Sequence, residues 1–136
     1  MNFKSPGDAD RFFLAAYNHT TMHDITNIET FEKAKSSGAS LILFGGEQCT
    51  VCQSIRPQVS NTLKQHFAQL RLYYVDCEKS PEICAQHGIF SLPVIQVYIE
   101  GMMVTEAGRV FGLNELIERI KRPYMMWLDE RASSSP

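Results

Sequence analysis

Apolar positions along this chain follow two rhythms. Short, almost continuous apolar runs at Ala39 to Phe44, Arg71 to Val75 and Val94 to Ile99 are bounded by turn residues and read as buried strands. Met22 to Ile25 can make a further short strand. Met102 to Val110 follows the Glu100-Gly101 turn as an antiparallel one. Between these runs the spacing is helical. Val51, Ile55, Val59, Leu63 and Phe67 recur every four residues and predict a helix from about Thr50 to Phe67. Ile28, Phe31 and Ala34 share one face of an earlier helix, capped by Asn27 or Thr26 and ended by Ser36-Ser37-Gly38. Ser80-Pro81-Glu82 is a well-formed helix start, with His87-Gly88 as its end. Leu113, Leu116, Ile117 and Ile120 point inward from a closing helix that Pro123 is expected to stop at Arg122. Phe12, Phe13, Ala16 and Tyr17 give residues 7 to 20 a helical look, after Ser5-Pro6-Gly7. The order β-α-β-α-β-α-β-β-α implies an α/β sandwich with a central mixed sheet flanked by helices.

On this pattern residues 1–21 form a helical N-terminal extension, 22–122 one domain, and 123–136 a tail. The tail carries an apolar cluster, Tyr124, Met125, Met126, Trp127 and Leu128. It is expected to cover the domain's own flank, with Phe12 and Phe13 as candidate neighbours, rather than to present a partner surface. Thirteen Lys and Arg stand against fifteen Asp and Glu, a net charge of −2 with no basic block. Nucleic acid and anionic membrane surfaces are therefore not expected partners. Asp8, Asp10 and Arg11 interrupt the region where a secretory signal needs an apolar core, and no run approaches the roughly 20 apolar residues that span a bilayer. The sequence reads as cytoplasmic.

Candidate chemistry rests on four cysteines. Cys49 and Cys52 lie between an apolar strand and a helix, with Gly45-Gly46 as the hinge from strand to loop. The first cysteine falls at a helix N-terminus, where unpaired backbone N–H groups and the helix dipole stabilise an anion. A thiolate there is the reactive form. With two residues between them, the sulfurs can close a disulfide in one state and expose a nucleophile in the other. Cys77 and Cys84 are spaced too unlike a close knuckle to complete a four-thiolate zinc site. They read as buried small residues, with a regulatory thiol at Cys77 as the alternative. His19, His23, His66 and His87 are dispersed and read as surface or satisfied residues. No metal or cofactor is expected.

The cysteine pair and the later stretch VDCEKSPEICAQHGIFSLPVIQVYIEG together resemble the thioredoxin family over Met22 to Arg122. The resemblance implies a thioredoxin fold, in which Pro93 is a cis-proline facing the dithiol and Leu92 offers its backbone to a substrate peptide. A proline at the head of an apolar strand suits this on physical grounds, since proline alone commonly accepts a cis bond and lacks a ladder donor. The implied activity is thiol–disulfide oxidoreduction: Cys49 attacks a client disulfide and Cys52 resolves the mixed disulfide. Gln48, Thr50, Val51, Leu92 and Pro93 then form the substrate surface. The partners would be disulfide-containing client proteins and a thioredoxin-reductase-like flavoprotein as electron donor. An alternative is a thioredoxin-fold binding module that uses the Leu92-Pro93 groove, its dithiol vestigial or regulatory; a zinc-binding domain ranks third. Several positions depart from the family pattern. Gln48 replaces the usual Trp, Thr50-Val51 replaces Gly-Pro, Leu43 stands where a buried acid is usual, and Leu72 stands where a lysine is usual.

Overall fold

The computed structural model describes residues 22–108 and 111–134. The N-terminal extension with its expected helix, and its suggested contact with the tail, lie outside the described residues. The elements run β1 (His23–Ile25), α1 (Ile28–Ser36), β2 (Ala39–Gly45), α2 (Thr50–His66), β3 (Arg71–Asp76), α3 (Pro81–Gln86), β4 (Val94–Ile99), β5 (Met102–Gly108) and α4 (Leu113–Ser134). The strands form one sheet in the order β1-β3-β2-β4-β5. β1, β3 and β2 pair in parallel, whereas β4 and β5 run antiparallel to their neighbours.

β2 is central, and every one of its residues is buried. It needs apolar side chains on both faces, which is why its sequence is a continuous run rather than an alternation. Leu41 and Leu43 pack under α2 and α4 with Val59, Leu63, Ile95, Leu116 and Ile120. Ile42 and Phe44 pack on the opposite face with Phe31, Ala34 and Ile83. Each such side chain, fully withdrawn from water, contributes about 1.5–3 kcal/mol. No helix among the described residues is long and apolar enough to cross a membrane.

Local signals account for most boundaries. Asn27 caps α1, its Oδ1 accepting the Thr30 N–H at 2.8 Å. Glu100 and Gly101 both have positive φ, 48° and 85°, in the tight turn that joins β4 to β5. Ser80 occupies the cap position of α3 but makes no side-chain cap; its hydroxyl instead donates to Thr26 O at 3.3 Å, tying α3 to the end of β1.

The expected stop at Pro123 does not occur. α4 continues to Ser134 with Pro123 inside it, so the expected tail is helix up to that residue. Proline in a helix interior costs about 3 kcal/mol through a lost N–H and a ring clash. Burial offsets that cost here. Tyr124 and Trp127 extend the stripe of Leu116, Ile117 and Ile120, and both are buried in the same core. The tail cluster is thus divided: Tyr124 and Trp127 point inward, while Met125 and Met126 are exposed.

Candidate functional site: the Cys49–Cys52 pair

The dithiol sits where β2 ends and α2 begins. Gly45 is the last strand residue, and the chain turns through Gly46 so that the Cys49 N–H donates to Gly46 O at 3.1 Å. Cys49 then stands at the cap position of α2 in extended conformation, and its Sγ accepts the Cys52 N–H at 3.2 Å. The sulfur itself therefore satisfies one of the helix's unpaired amides. Cys49 and Cys52 form a disulfide with their Cα atoms 5.2 Å apart. Cys52 is fully enclosed, whereas Cys49 is partly exposed. An outer sulfur at a helix N-terminus and an inner sulfur one turn deeper can divide the roles of attack and resolution.

The other residues expected at the site reach it from two directions. Gln48, Thr50 and Val51 flank the cysteines and are exposed. Leu92 and Pro93 come from the loop before β4, and their peptide bond is cis, as the resemblance implies. Because Val94 pairs with Phe44, Pro93 lies beside the end of β2 from which the Cys49 loop departs. Leu92 is partly buried and Pro93 buried. Phe90, 83% exposed, and Val51, 56% exposed, add apolar surface on the two segments. Neither the spacing nor the resemblance singled out Phe90.

Behind the pair the departures from the family pattern have physical consequences. Leu43 and Leu72 are buried in the apolar cluster beneath α2, so neither position supplies a charge. A polar group close to Cys52 is Tyr74, the register partner of Leu43 on β3. A Cβ at Gly45 would lie 2.5 Å from Tyr74 Oη and 3.0 Å from Cys52 Cβ. Arg56, one turn beyond Cys52 on α2, stacks over the Tyr74 ring at 3.9 Å and pairs with Asp24 of β1 at 3.0 Å. Burial pushes the Tyr74 phenol pKa up; Asp76 and Asp24 act in the same direction, against Arg56 and the Gln53 amide.

A second set of contacts holds the loop from β3. The Cys77 N–H donates to Gly45 O at 2.8 Å, and Glu78 Oε2 accepts the Gln48 N–H, also at 2.8 Å. The Glu78 carboxylate also occupies the space that a side chain at Gly46 would need. Cys77 and Cys84 are not two separate buried thiols, contrary to the sequence expectation: they form a second disulfide with Cα atoms 5.7 Å apart. Their spacing hid this, because it places one cysteine in the turn after β3 and the other on α3. The turn folds back onto the helix, Asp76 Oδ1 accepting the Glu78 and Lys79 amides and Asp76 O the Ser80 amide. With both cysteine pairs closed, no group of three metal-ligating side chains occurs among the described residues.

Neither Tyr74 nor Glu78 was legible as part of a site. Tyr74 reads only as a strand residue until the pairing register is known, and Glu78 is one acid in a charged turn. His87, by contrast, is satisfied as expected, its ring bonding Ile83 O at 2.8 Å and packing on Phe31.

Comparison with known proteins agrees with this architecture. The thioredoxin family model matches residues 22–122. A thioredoxin-like protein, YdfQ, of Bacillus subtilis is 27% identical over 111 residues, covering 82% of this chain and 96% of that protein. A thioredoxin of Streptomyces clavuligerus is 30% identical over 78 residues, 56% of this chain and 72% of its own length. Among solved structures, a mutant thioredoxin from Halobacterium salinarum superposes with a TM-score of 0.67 at 16% identity, over 77% of this chain and 91% of that one. Oxidised thioredoxin O2 of Arabidopsis thaliana gives 0.67 at 18% identity, over 78% and 96%. At those identities the structures speak for the fold alone, a mixed five-stranded sheet flanked by helices. With the family model spanning the whole of β1 to β5 and the first turns of α4, the chain belongs to the thioredoxin family.

Proposed function

We propose that this protein is a thiol–disulfide oxidoreductase that reduces protein disulfides through a reversible Cys49–Cys52 pair. The observation that carries the reading is the position of Cys49 Sγ: at the cap of α2, accepting a backbone N–H, and on the exposed side of an enclosed partner. A thiolate at that position is favoured by the helix N-terminus. It attacks one sulfur of a client disulfide, and the other client sulfur leaves as a thiol. Cys52 then loses its proton and attacks Cys49 Sγ; the Cys49–client bond breaks, and the second client sulfur departs reduced. Two electrons have passed from the dithiol to the client. The pair must be recharged by a dithiol donor, for which a thioredoxin-reductase-like flavoprotein is the class the family implies.

Gln48, Thr50, Val51, Leu92 and Pro93 are proposed as the client-contacting surface. A cytoplasmic setting, expected from the sequence, belongs to the same proposal. The test is turnover on a protein disulfide with a small dithiol as donor, together with trapping. Cys52→Ser should accumulate mixed disulfides and Cys49→Ser should not. Absence of turnover would favour the binding-module alternative. Trapping by Cys49→Ser instead would reverse the two roles.

A further inference from the structure

Among the described residues the Tyr74 hydroxyl donates no hydrogen bond in the oxidised protein, although the residue is only 3% exposed. Buried polar atoms are nearly always paired, and one left alone calls for an explanation. Strand register supplies the geometry. Tyr74 pairs with Leu43 and lies on the sheet face that α2 covers, so its ring runs beneath the first turns of the cysteine helix. Its Oη meets the Cys52 side chain across the bare Cα of Gly45, where a methyl group would lie 2.5 Å from the one and 3.0 Å from the other's Cβ. The Gln53 amide gives one N–H to Gly46 O at 3.0 Å and bears on the phenol oxygen only as a donor, so the phenol's own proton is left without an acceptor.

We propose that the Tyr74 hydroxyl is a positioning residue for Cys52, donating a hydrogen bond to the Cys52 sulfur once the disulfide is opened. The inference rests on Cys49 and Cys52 working as a redox pair. A disulfide sulfur is a feeble acceptor, whereas a thiolate is a strong one, so a donor left unpaired in the oxidised state acquires a partner on reduction. The phenol remains a donor at neutral pH because burial holds its own proton on. In the resolving step the Cys52 proton passes to water, the Cys52 sulfur attacks Cys49 Sγ, and the client sulfur leaves and is protonated. Tyr74 stabilises the charge on Cys52 without giving up its proton.

Among the other charged groups facing the phenol, Arg56, Asp24 and Asp76 have partners of their own. Arg56 from α2 stacks on the ring and pairs with Asp24 from β1. Asp76 of β3 accepts the Glu78 and Lys79 amides. Lys79 and Ser80 line the same recess of about 170 Å³, and Glu78 is held by the Gln48 N–H.

The test is titration of Cys52 in a Cys49→Ser background, with and without Tyr74→Phe, followed by thiolate absorbance or by NMR of labelled cysteine. The ring and its packing survive in this variant, and melting of the oxidised protein checks the fold. Loss of the hydroxyl should raise the Cys52 midpoint by about one pH unit, with resolution of a mixed disulfide about tenfold slower at neutral pH. Cys49, titrated in a Cys52→Ser background, should be unmoved. An unchanged Cys52 midpoint overturns the proposal, as does an equal shift at both cysteines. If the shift appears in a protein that turns over no client, the role of Tyr74 stands and the proposed activity falls.

Discussion

At position 45 a methyl group would collide with three atoms, Tyr74 Oη at 2.5 Å and Cys52 Cβ and Tyr74 Cε1 at 3.0 Å. None is the free end of a flexible chain, so the strand or the tyrosine must shift. Gly45→Ala is expected to destabilise the protein by about 1–3 kcal/mol, as overpacking does in a filled core. Tyr74→Phe removes the closest of the three atoms and should relieve part of that loss, which a double-mutant cycle in urea would measure. Additive effects of the two changes would show that the hydroxyl does not fill this space. The same contact marks the limit of sequence reading at this scale. Cys49 and Cys52 were legible because a strand, a loop and a helix start are written into the residues around them. Tyr74 was not, because its place beside Cys52 depends on which residue of β3 meets Leu43 across the sheet. The glycine looked like a hinge, and it is a close-packed floor.

Among the elements, α4 departs most from its sequence signals. Proline predicts a stop, yet the apolar stripe continues through it at the same helical spacing, and burial of two large aromatics outweighs one missing hydrogen bond. Tyr124 packs edge-on against Phe67 at 4.9 Å between centroids, and its Oη accepts the Gln69 N–H at 2.9 Å. Trp127 donates through its indole to Glu100 Oε2 at 2.8 Å and lies under the Arg131 guanidinium at 4.6 Å. A local rule was overruled by a tertiary contact that no window of sequence contains. Trp127→Ala should cost about 3–5 kcal/mol, in the range of large aromatic deletions from a core. Since Trp127 is the only tryptophan, denaturation must be followed by circular dichroism rather than fluorescence. A loss below about 1 kcal/mol would mean that the helix beyond Pro123 adds little to the fold. The shorter elements were more legible. β4 has the expected bounds, and α1 begins after Asn27, one of the two caps expected for it, because strand and cap chemistry are local.

Across the whole molecule, the sheet has two poles with different work. The C-terminal ends of β2 and β3 carry the dithiol, the Cys77–Cys84 disulfide and the glycines that let them approach. At the other pole, where β2 and β3 begin and β4 ends, Glu100 gathers distant segments. Its N–H donates to Gly38 O at 2.8 Å, and its carboxylate accepts from the Trp127 indole, with the Gly38 amide, Arg131 and Arg71 nearby. The bond from Trp127 holds the Glu100 carboxyl below the usual carboxylate pKa, with the Gly38 amide and the two arginines acting the same way. A carboxyl with a lowered folded pKa favours the folded state at every pH above its unfolded value. That contribution fades as pH falls from the unfolded value through the folded one. Stability should therefore decline in acid partly through this group, and Glu100→Gln should flatten that part of the profile while being less stable than the native protein at neutral pH. Trp127 reports the event directly, since protonating Glu100 weakens the bond to the chain's only indole. Tryptophan emission of the folded protein should change with a midpoint below about 4.3, the ordinary glutamate value, and the change should vanish in Glu100→Gln. A midpoint at or above that value, or one that persists in the variant, would assign the signal to another carboxyl and remove Glu100 from its place at the closed pole.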